Sequence, residues 1–380
     1  GAARELLEEG VERGFTPTRS VLDGHGEMID SYLVDDPTES DLYEPFESIP
    51  GTIDPEERER FREAATEAIV EDVFPALEVF KEFLLEEYIP ECRESTDYAD
   101  LEGGEAYYEH LVWYYTTLDV TPEEVHQTGL EEVERIREEM LDTIDDAGFD
   151  GDFDEFVEFL RTDPQFYPDS AEELLREAKS IAKTVDGRLP ELFTLEGMPT
   201  RPYGVEPVPE DIAPSYTSGR YVTNGKDTDA GTFWINTYDL DSRPLYALPA
   251  LFLHEAVPGH HHQIAHSNEN ERVSEFRQEN LVNAYIEGWA LYAERLGTEI
   301  DAFETPYEQF GRLSNEMWRA CRLVVDTGIH AKGWTPAEAR EFMAENTALS
   351  MHNVRTEVDR YVAWPGQSLA YKMGEIEVRK

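Results

Sequence analysis

Apolar residues recur at helical spacing along most of the chain. Between residues 54 and 93, Phe61, Ala65, Ile69, Val73, Leu77, Phe80 and Leu84 share one face, and Pro75 predicts a kink or a split. Residues 3–34 read as helix broken near 14–17, and 36–52 as a loop punctuated by Pro37, Pro45, Pro50 and Gly51. A helix over 103–117 is expected to bury Tyr107, Tyr108, Leu111, Val112 and Tyr115. Thr121-Pro122-Glu123-Glu124 opens the next helix with a cap, a proline at the first position and acids in the first turn, and it runs to about Asp146. Helices at 152–162 and 170–189 follow, the second capped by Ser170 with Glu173 three residues on.

The pattern changes after residue 190. Residues 191–225 are rich in Pro, Gly and polar residues and predict a long connection with one short strand. Gly231-Thr-Phe-Trp-Ile-Asn-Thr237 alternates and is β-rich, so it is the clearest strand, with an edge open to an extended peptide. Helices are expected at 244–265, 273–297, 305–332, 336–346 (capped by Thr335) and 350–360, with 361–375 irregular around Pro365-Gly366-Gln367. The class is mainly α: a multi-helix domain with a small β element beside the helix at 244–265. The chain reads as an N-terminal helical region, 1–190, lining one side of a cleft, and a catalytic region, 191–380, together forming one compact unit.

Charge narrows the function. The 380 residues carry 83 acidic against 32 basic side chains, a net of −51, with the acids spread along the chain. Such a surface repels nucleic acid and anionic membranes and suits a protein that stays soluble in concentrated salt. The expectation is a halophilic cytoplasmic protein. Cys92 and Cys321 are too few for a disulfide framework and do not form a metal pair by spacing. No apolar stretch reaches the roughly 18 residues that span a membrane, and no signal peptide is visible. The opening Gly-Ala-Ala and the charged helical close are those of a chain trimmed at both ends.

The chemistry gathers at His254-Glu255-Ala-Val-Pro258-Gly259-His260-His261-His262. Histidine is the commonest metal ligand, and a His-Glu pair followed one turn later by His is the helical zinc-protease signature. Here Pro258 stands where the second His belongs. On an unbroken helix, residues six apart point about 120° away from each other and about 9 Å along the axis, which forbids a shared ion. Proline and glycine let two residues loop out as a bulge or kink. Without Pro258-Gly259 the spacing becomes His-Glu-x-x-His, with His260 as second ligand; His261 is the runner-up, because a seven-residue step returns to the same face. Catalytic zinc takes three protein ligands, and Glu287, in the apolar setting of Ala284, Tyr285, Ile286 and Trp289, is the best third. Glu294, seven residues on, offers a partner to a ligand, although a buried ion pair is its commoner use. Glu255 then serves as general base toward metal-activated water. His330 and Tyr361 are candidate donors to the oxyanion, with Tyr371 third.

These pieces resemble the domain-of-unknown-function 885 family of bacteria and archaea. The resemblance rests on His-Glu-Ala-Val-Pro-Gly-His-His-His-Gln (254–263), Glu-Gly-Trp-Ala-Leu-Tyr-Ala-Glu (287–294), the stretch from Trp318 to His330, Arg360-Tyr361 and Pro-Gly-Gln-Ser-Leu-Ala-Tyr-Lys (365–372). Tyr-Tyr-Thr-Thr (114–117) and Thr-Pro-Glu-Glu-Val-His (121–126) extend it over nearly the whole chain. Relatives are usually longer and often apolar at the third position of the His run, which argues against His262 as a ligand. The resemblance implies a mostly helical zinc-peptidase-like fold, similar in arrangement to oligopeptidases and angiotensin-converting-enzyme-like carboxypeptidases.

The expected function is zinc-dependent hydrolysis of short peptides. His254, His260 and Glu287 hold zinc, Glu255 activates water, and His330 and Tyr361 steady the oxyanion. A metal-dependent hydrolase of another amide or ester would share the metal site without a peptide-length cleft. A peptide-binding protein with a degenerate site would lack the base. A di-iron carboxylate bundle would need paired Glu-x-x-His motifs, and Glu123-Glu-Val-His126 stands alone.

Overall fold

The computed structural model describes residues 2–22, 24–210, 212–223, 230–280 and 282–380. It is mainly helical with a small three-stranded sheet. Two compact units divide between Glu102 and Gly103. The boundary lies apart from the one expected near residue 190: within the second unit the four helices over 104–192 pack against the C-terminal half.

In the first unit the run from 55 to 91 stays helical past Pro75. Two π-helical stretches, Ile69–Val73 and Phe83–Tyr88, interrupt the α-helix, and Pro75 falls at the start of the segment after the first. A wider turn removes the need for the hydrogen bond that proline lacks. Phe83, Leu84 and Tyr88 bury against Ile29 and Cys92.

The second unit holds α1 (Gly104–Thr116), α2 (Pro122–Asp146), α3 (Phe153–Thr162) and α4 (Ala171–Leu192). Strands β1 (Tyr203–Pro207), β2 (Gly219–Thr223) and β3 (Gly231–Ile235) follow. Then come α5 (Leu248–Glu255), α6 (His260–Glu269), α7 (Asn283–Leu296), α8 (Pro306–Ala331), α9 (Pro336–Asn346), α10 (Met351–Ala363) and α11 (Ala370–Arg379). Thr121, Thr305 and Thr335 each cap a helix in a full capping box with a glutamate three residues on. On α1 the buried residues are Gly104, Tyr108, Val112 and Thr116, whereas Tyr107 is 41% exposed, so the buried face lies one residue round from the expected stripe.

The sheet order is β1-β3-β2, with β1 parallel and β2 antiparallel to β3. The expected strand therefore exists but is the central one, flanked on both sides. It has no free edge; β1 and β2 flank it, two strands where one short strand was expected within 191–225. The core next to the site is apolar. Phe252, Leu253, Ala256 and Val257 pack against Phe233 and Ile235 of β3 and against Ala178, Val185 and Leu189 of α4. Burying each large side chain there contributes roughly 1.5–3 kcal/mol, which fixes α5 between sheet and helix. Behind it, α7 and α11 cross at backbone contact. A Cβ on Gly288 would lie 2.4 Å from the Gly374 carbonyl carbon, and one on Gly374 would lie 2.1 Å from the Ala284 oxygen. This crossing holds the face of α7 that carries Glu287 and Glu294.

Candidate metal centre

The helix expected over 244–265 is two helices. α5 ends at Glu255, α6 begins at His260, and Ala256–Gly259 turn between them through a cis Val257–Pro258 bond. The break is thus a change of direction rather than a two-residue bulge in one helix. Trp289 Nε1 donates to the Pro258 carbonyl at 2.8 Å and pins the turn to α7. Gly259 packs so tightly that a Cβ would lie 1.9 Å from the His254 oxygen and 2.4 Å from that of Leu253. We expect Gly259→Ala to cost at least about 3 kcal/mol, the upper end for overpacking, read as a fall in the urea midpoint; an unchanged midpoint would contradict this packing.

The turn brings His254 and His260 together. Their rings stand at 89° with centroids 4.8 Å apart. His254 Nε2 lies 3.7 Å and His260 Nε2 3.6 Å from the same Glu287 oxygen, Oε2. Ligand atoms around a tetrahedral zinc sit about 3.3 Å apart, given metal–ligand distances near 2.0–2.1 Å, so the two histidine–Glu287 separations are each a few tenths of an ångström longer than such a site needs. Glu255 joins the cluster: His254, Glu255 and His260 each present a ligand atom within 4.8 Å of the others. His254 and His260 are 5% and 13% accessible at the side chain, and Glu287, at 19%, is the most exposed of the three.

His254 Nδ1 meets Glu294 Oε1 at 2.8 Å, with Glu294 fully buried. This is the carboxylate–histidine arrangement that fixes a ligand's tautomer and leaves Nε2 for a metal. Burial works against a charge on His254, but Glu287 and Glu294 outweigh it and raise its pKa to about 9. Burial likewise works against the Glu287 carboxylate, yet His254 and His260 hold it far below the usual range. Glu287 and Glu294 thus place two carboxylates about the buried His254 ring. We expect Glu294→Gln to lower zinc affinity 10- to 100-fold, as loss of such a partner typically does. Competition against a chromophoric chelator measures it, and unaltered affinity would remove Glu294 from the site.

The choice between His260 and His261 is visible in their partners. His261 is buried with Nδ1 3.0 Å from the Tyr221 hydroxyl and Nε2 3.1 Å from the Arg201 carbonyl oxygen. Burial pushes its pKa down to about 4, so the ring is neutral and its nitrogens are used. His262 Nε2 meets the Gly197 oxygen at 2.8 Å, away from the cluster. Tyr221, for which no motif gave a signal, does more. Its backbone N–H donates to Glu255 Oε2 at 2.7 Å, and since β3 is its only ladder partner among the described strands, that N–H points off the outer edge of the sheet. Glu255 thus sits at the edge of β2.

His330 and Tyr361, the expected oxyanion donors, are both buried at 1% exposure and hydrogen-bonded to groups of α8 and α10. His330 Nε2 lies 2.9 Å from the Tyr361 backbone oxygen. The Tyr361 hydroxyl accepts from Arg322 Nε (2.9 Å) and Trp318 Nε1 (3.0 Å) and donates to Glu357 (2.8 Å). A phenol has one hydrogen and two lone pairs, so it is fully used. Burial raises its pKa, which keeps the proton on Glu357's partner. Tyr371 stacks under Arg322, 4.4 Å from its guanidinium carbon. Asp326, at the head of Asp-Thr-Gly-Ile-His330, accepts from Tyr108 (2.6 Å), Gly366 N (3.0 Å) and Ser368 (2.8 Å), tying α1 and α8 to the turn before α11. These motif residues hold helices together.

Comparisons agree with the motifs. The solved structure named "the putative lipoprotein from Colwellia psychrerythraea" is 29% identical and superimposes with a TM-score of 0.92 over 99% of this chain. One called "a putative lipoprotein of unknown function from Shewanella oneidensis" is 20% identical, with a TM-score of 0.65 over 96% of the chain, and shares the fold. The chain spans 66% of the length of each. No curated protein matches it. No helix among the described residues is long and apolar enough to cross a membrane. The sequence profile described as "Bacterial protein of unknown function (DUF885)" matches residues 1–380, and the chain belongs to that family.

Proposed function

We propose that the chain is a zinc-dependent metallopeptidase that cleaves short peptides. The observation that carries this reading is the convergence of His254 Nε2 and His260 Nε2 on one oxygen of Glu287, with Glu255 in the same cluster. His254, His260 and Glu287 would hold the ion, and Glu294 would set the tautomer of His254. When bound, zinc supplies Lewis acidity that lowers the pKa of water and polarises a carbonyl. Glu255 takes the proton from the attacking water and passes it to the leaving amine. The Tyr221 N–H fixes one oxygen of that carboxylate, leaving the other to face the water. The two-helix turn sets the angle between His254 and His260, and Trp289 holds the turn.

A peptide is favoured over other amides by the neighbouring strand. β2 is an edge strand, and Glu255 lies against its outer backbone. An extended chain that adds to this edge through main-chain hydrogen bonds would pass the base. His330 and Tyr361 serve in this reading as supports for α8 and α10 rather than as donors. The halophilic, cytoplasmic setting expected from the charge stays part of the proposal.

The test is a peptide library digested with zinc-loaded protein in high salt, with products read by mass spectrometry. Cleavage that stops with chelator and returns with zinc is expected. Full zinc content with no peptide cleaved, but with an ester or non-peptide amide turned over, would replace the reading with the general hydrolase.

A further inference from the structure

A second pocket shares Val257 and His261 with the helix break but none of the residues that converge on Glu287. It encloses about 410 Å³. Its polar lining is Lys179, Lys183 and Asp186 from α4, with Arg201, Tyr203 and His261. The rest is mostly apolar, including Leu189 and Met198.

The lysines are the informative part. The chain has seven lysines against 83 acids. Among the described residues, Lys81, Lys332, Lys372 and Lys380 each meet a carboxylate, at 2.5 Å (Asp30), 2.5 Å (Glu123), 2.7 Å (Glu316) and 2.5 Å (Glu377). Lys179 and Lys183 are the described lysines without such a partner, and both line this pocket. They are four residues apart on α4, so their ammonium groups lie on one face and repel each other. A surface this rich in acids could have paired them; an unpaired cationic pair is instead a site where a bound anion gains charge-assisted hydrogen bonds. Their neighbours agree. Asp186 accepts the Tyr203 hydroxyl at 2.8 Å. Glu269 spends its carboxylate on the backbone N–H groups of Thr200 (2.8 Å) and Arg201 (2.8 Å), leaving the Arg201 guanidinium at a loose 3.9 Å.

We propose that this pocket binds a small polyanion, a molecule bearing two or more negative charges on phosphate or carboxylate groups, through Lys179, Lys183 and Arg201. Apolar walls would take a short carbon skeleton between those charges. The occupant would touch His261, whose ring contacts Tyr221, the residue that holds Glu255.

Calorimetric titration tests this on the full chain stripped of metal, so the result does not depend on zinc or on peptidase activity. Inorganic phosphate and succinate are titrated separately at one fixed high ionic strength, matching that used for purification, with chloride as the balancing anion and acetate as the monovalent control. We expect saturable one-site binding of at least one dianion, and which one binds identifies the source. Replacing both lysines (Lys179→Gln with Lys183→Gln) should weaken it by about 10-fold or more, the loss of two charge-assisted contacts. Lys332→Gln should leave it unchanged. Both lysines are exposed, so the double variant should keep its unfolding temperature without ligand. No saturable binding of either dianion, equal binding by the double variant, or acetate binding as tightly as the dianions would each overturn the proposal.

Discussion

Glu255→Gln should lower kcat/KM for peptide cleavage by about 10²- to 10⁴-fold, the usual contribution of a positioned general base, while zinc content stays near that of the wild type. Glutamine keeps the shape of the side chain and can still accept the Tyr221 N–H that now reaches Oε2 at 2.7 Å. It cannot take a proton. Because Glu255 lies within 4.8 Å of the two histidines, the alternative is that it is itself a ligand. The variant separates the two roles. Loss of activity with zinc retained identifies a base; loss of both identifies a ligand; full activity removes Glu255 from the chemistry. Glu287→Gln should behave in the opposite way, losing metal first.

The second large effect concerns stability. Glu316 on α8 is buried and meets Lys372 (2.7 Å), Arg312 (2.8 Å) and Arg135. Lys372 on α11 is fully buried and also reaches Glu132 (2.9 Å) and Glu375 (2.8 Å). The network joins α2, α8 and α11. Breaking one partner of a buried pair costs about 3–5 kcal/mol, and Glu316→Ala should fall near the lower end because Lys372 keeps two carboxylates. Urea unfolding measures it; a loss under about 1 kcal/mol would place the pair among weak surface bridges. The pH dependence follows. Burial opposes the Glu316 charge, but Lys372, Arg312 and Arg135 hold its carboxyl far below the ordinary range. A lowered folded pKa contributes stability above the unfolded value of about 4.3 and loses it as pH falls through the folded one. The difference between wild type and variant should be flat from pH 7 to about 5 and shrink below that.

What the sequence disclosed follows physical range. Capped, strongly periodic helices were legible because their signals are local: Thr121, Thr305 and Thr335 each sit three residues before a glutamate. The approach of His254 and His260 to Glu287 was legible because these residues are chemically unusual, and the Pro258-Gly259 break could be reasoned around. The form of the break was not, since two helices meeting at Gly259 depend on the approach of the His254 carbonyl, a tertiary fact. Two strands stand in 191–225 where one was expected, because Gly219–Thr223 are short and half-exposed and β3 makes them a strand by pairing. The partners of His330 and Tyr361 were not legible because motif membership does not distinguish chemistry from packing; the bonds of Tyr361 to Trp318, Arg322 and Glu357 are tertiary. The boundary at Glu102 was hidden because the pairing of α2 with α8 joins residues almost 200 positions apart. Glu294 carried a weak signal, seven residues after Glu287, that the bond to His254 makes strong.

The claim on which the rest depends is that His254, His260 and Glu287 hold one ion. Mass spectrometry of metal content, on protein purified in high salt beside Glu287→Ala, tests it most directly. The account predicts about one zinc per chain in the wild type and near none in the variant, in keeping with three-ligand catalytic sites. Equal zinc in both would contradict Glu287 as a ligand, and no zinc in either after added metal would contradict the metallopeptidase reading as a whole.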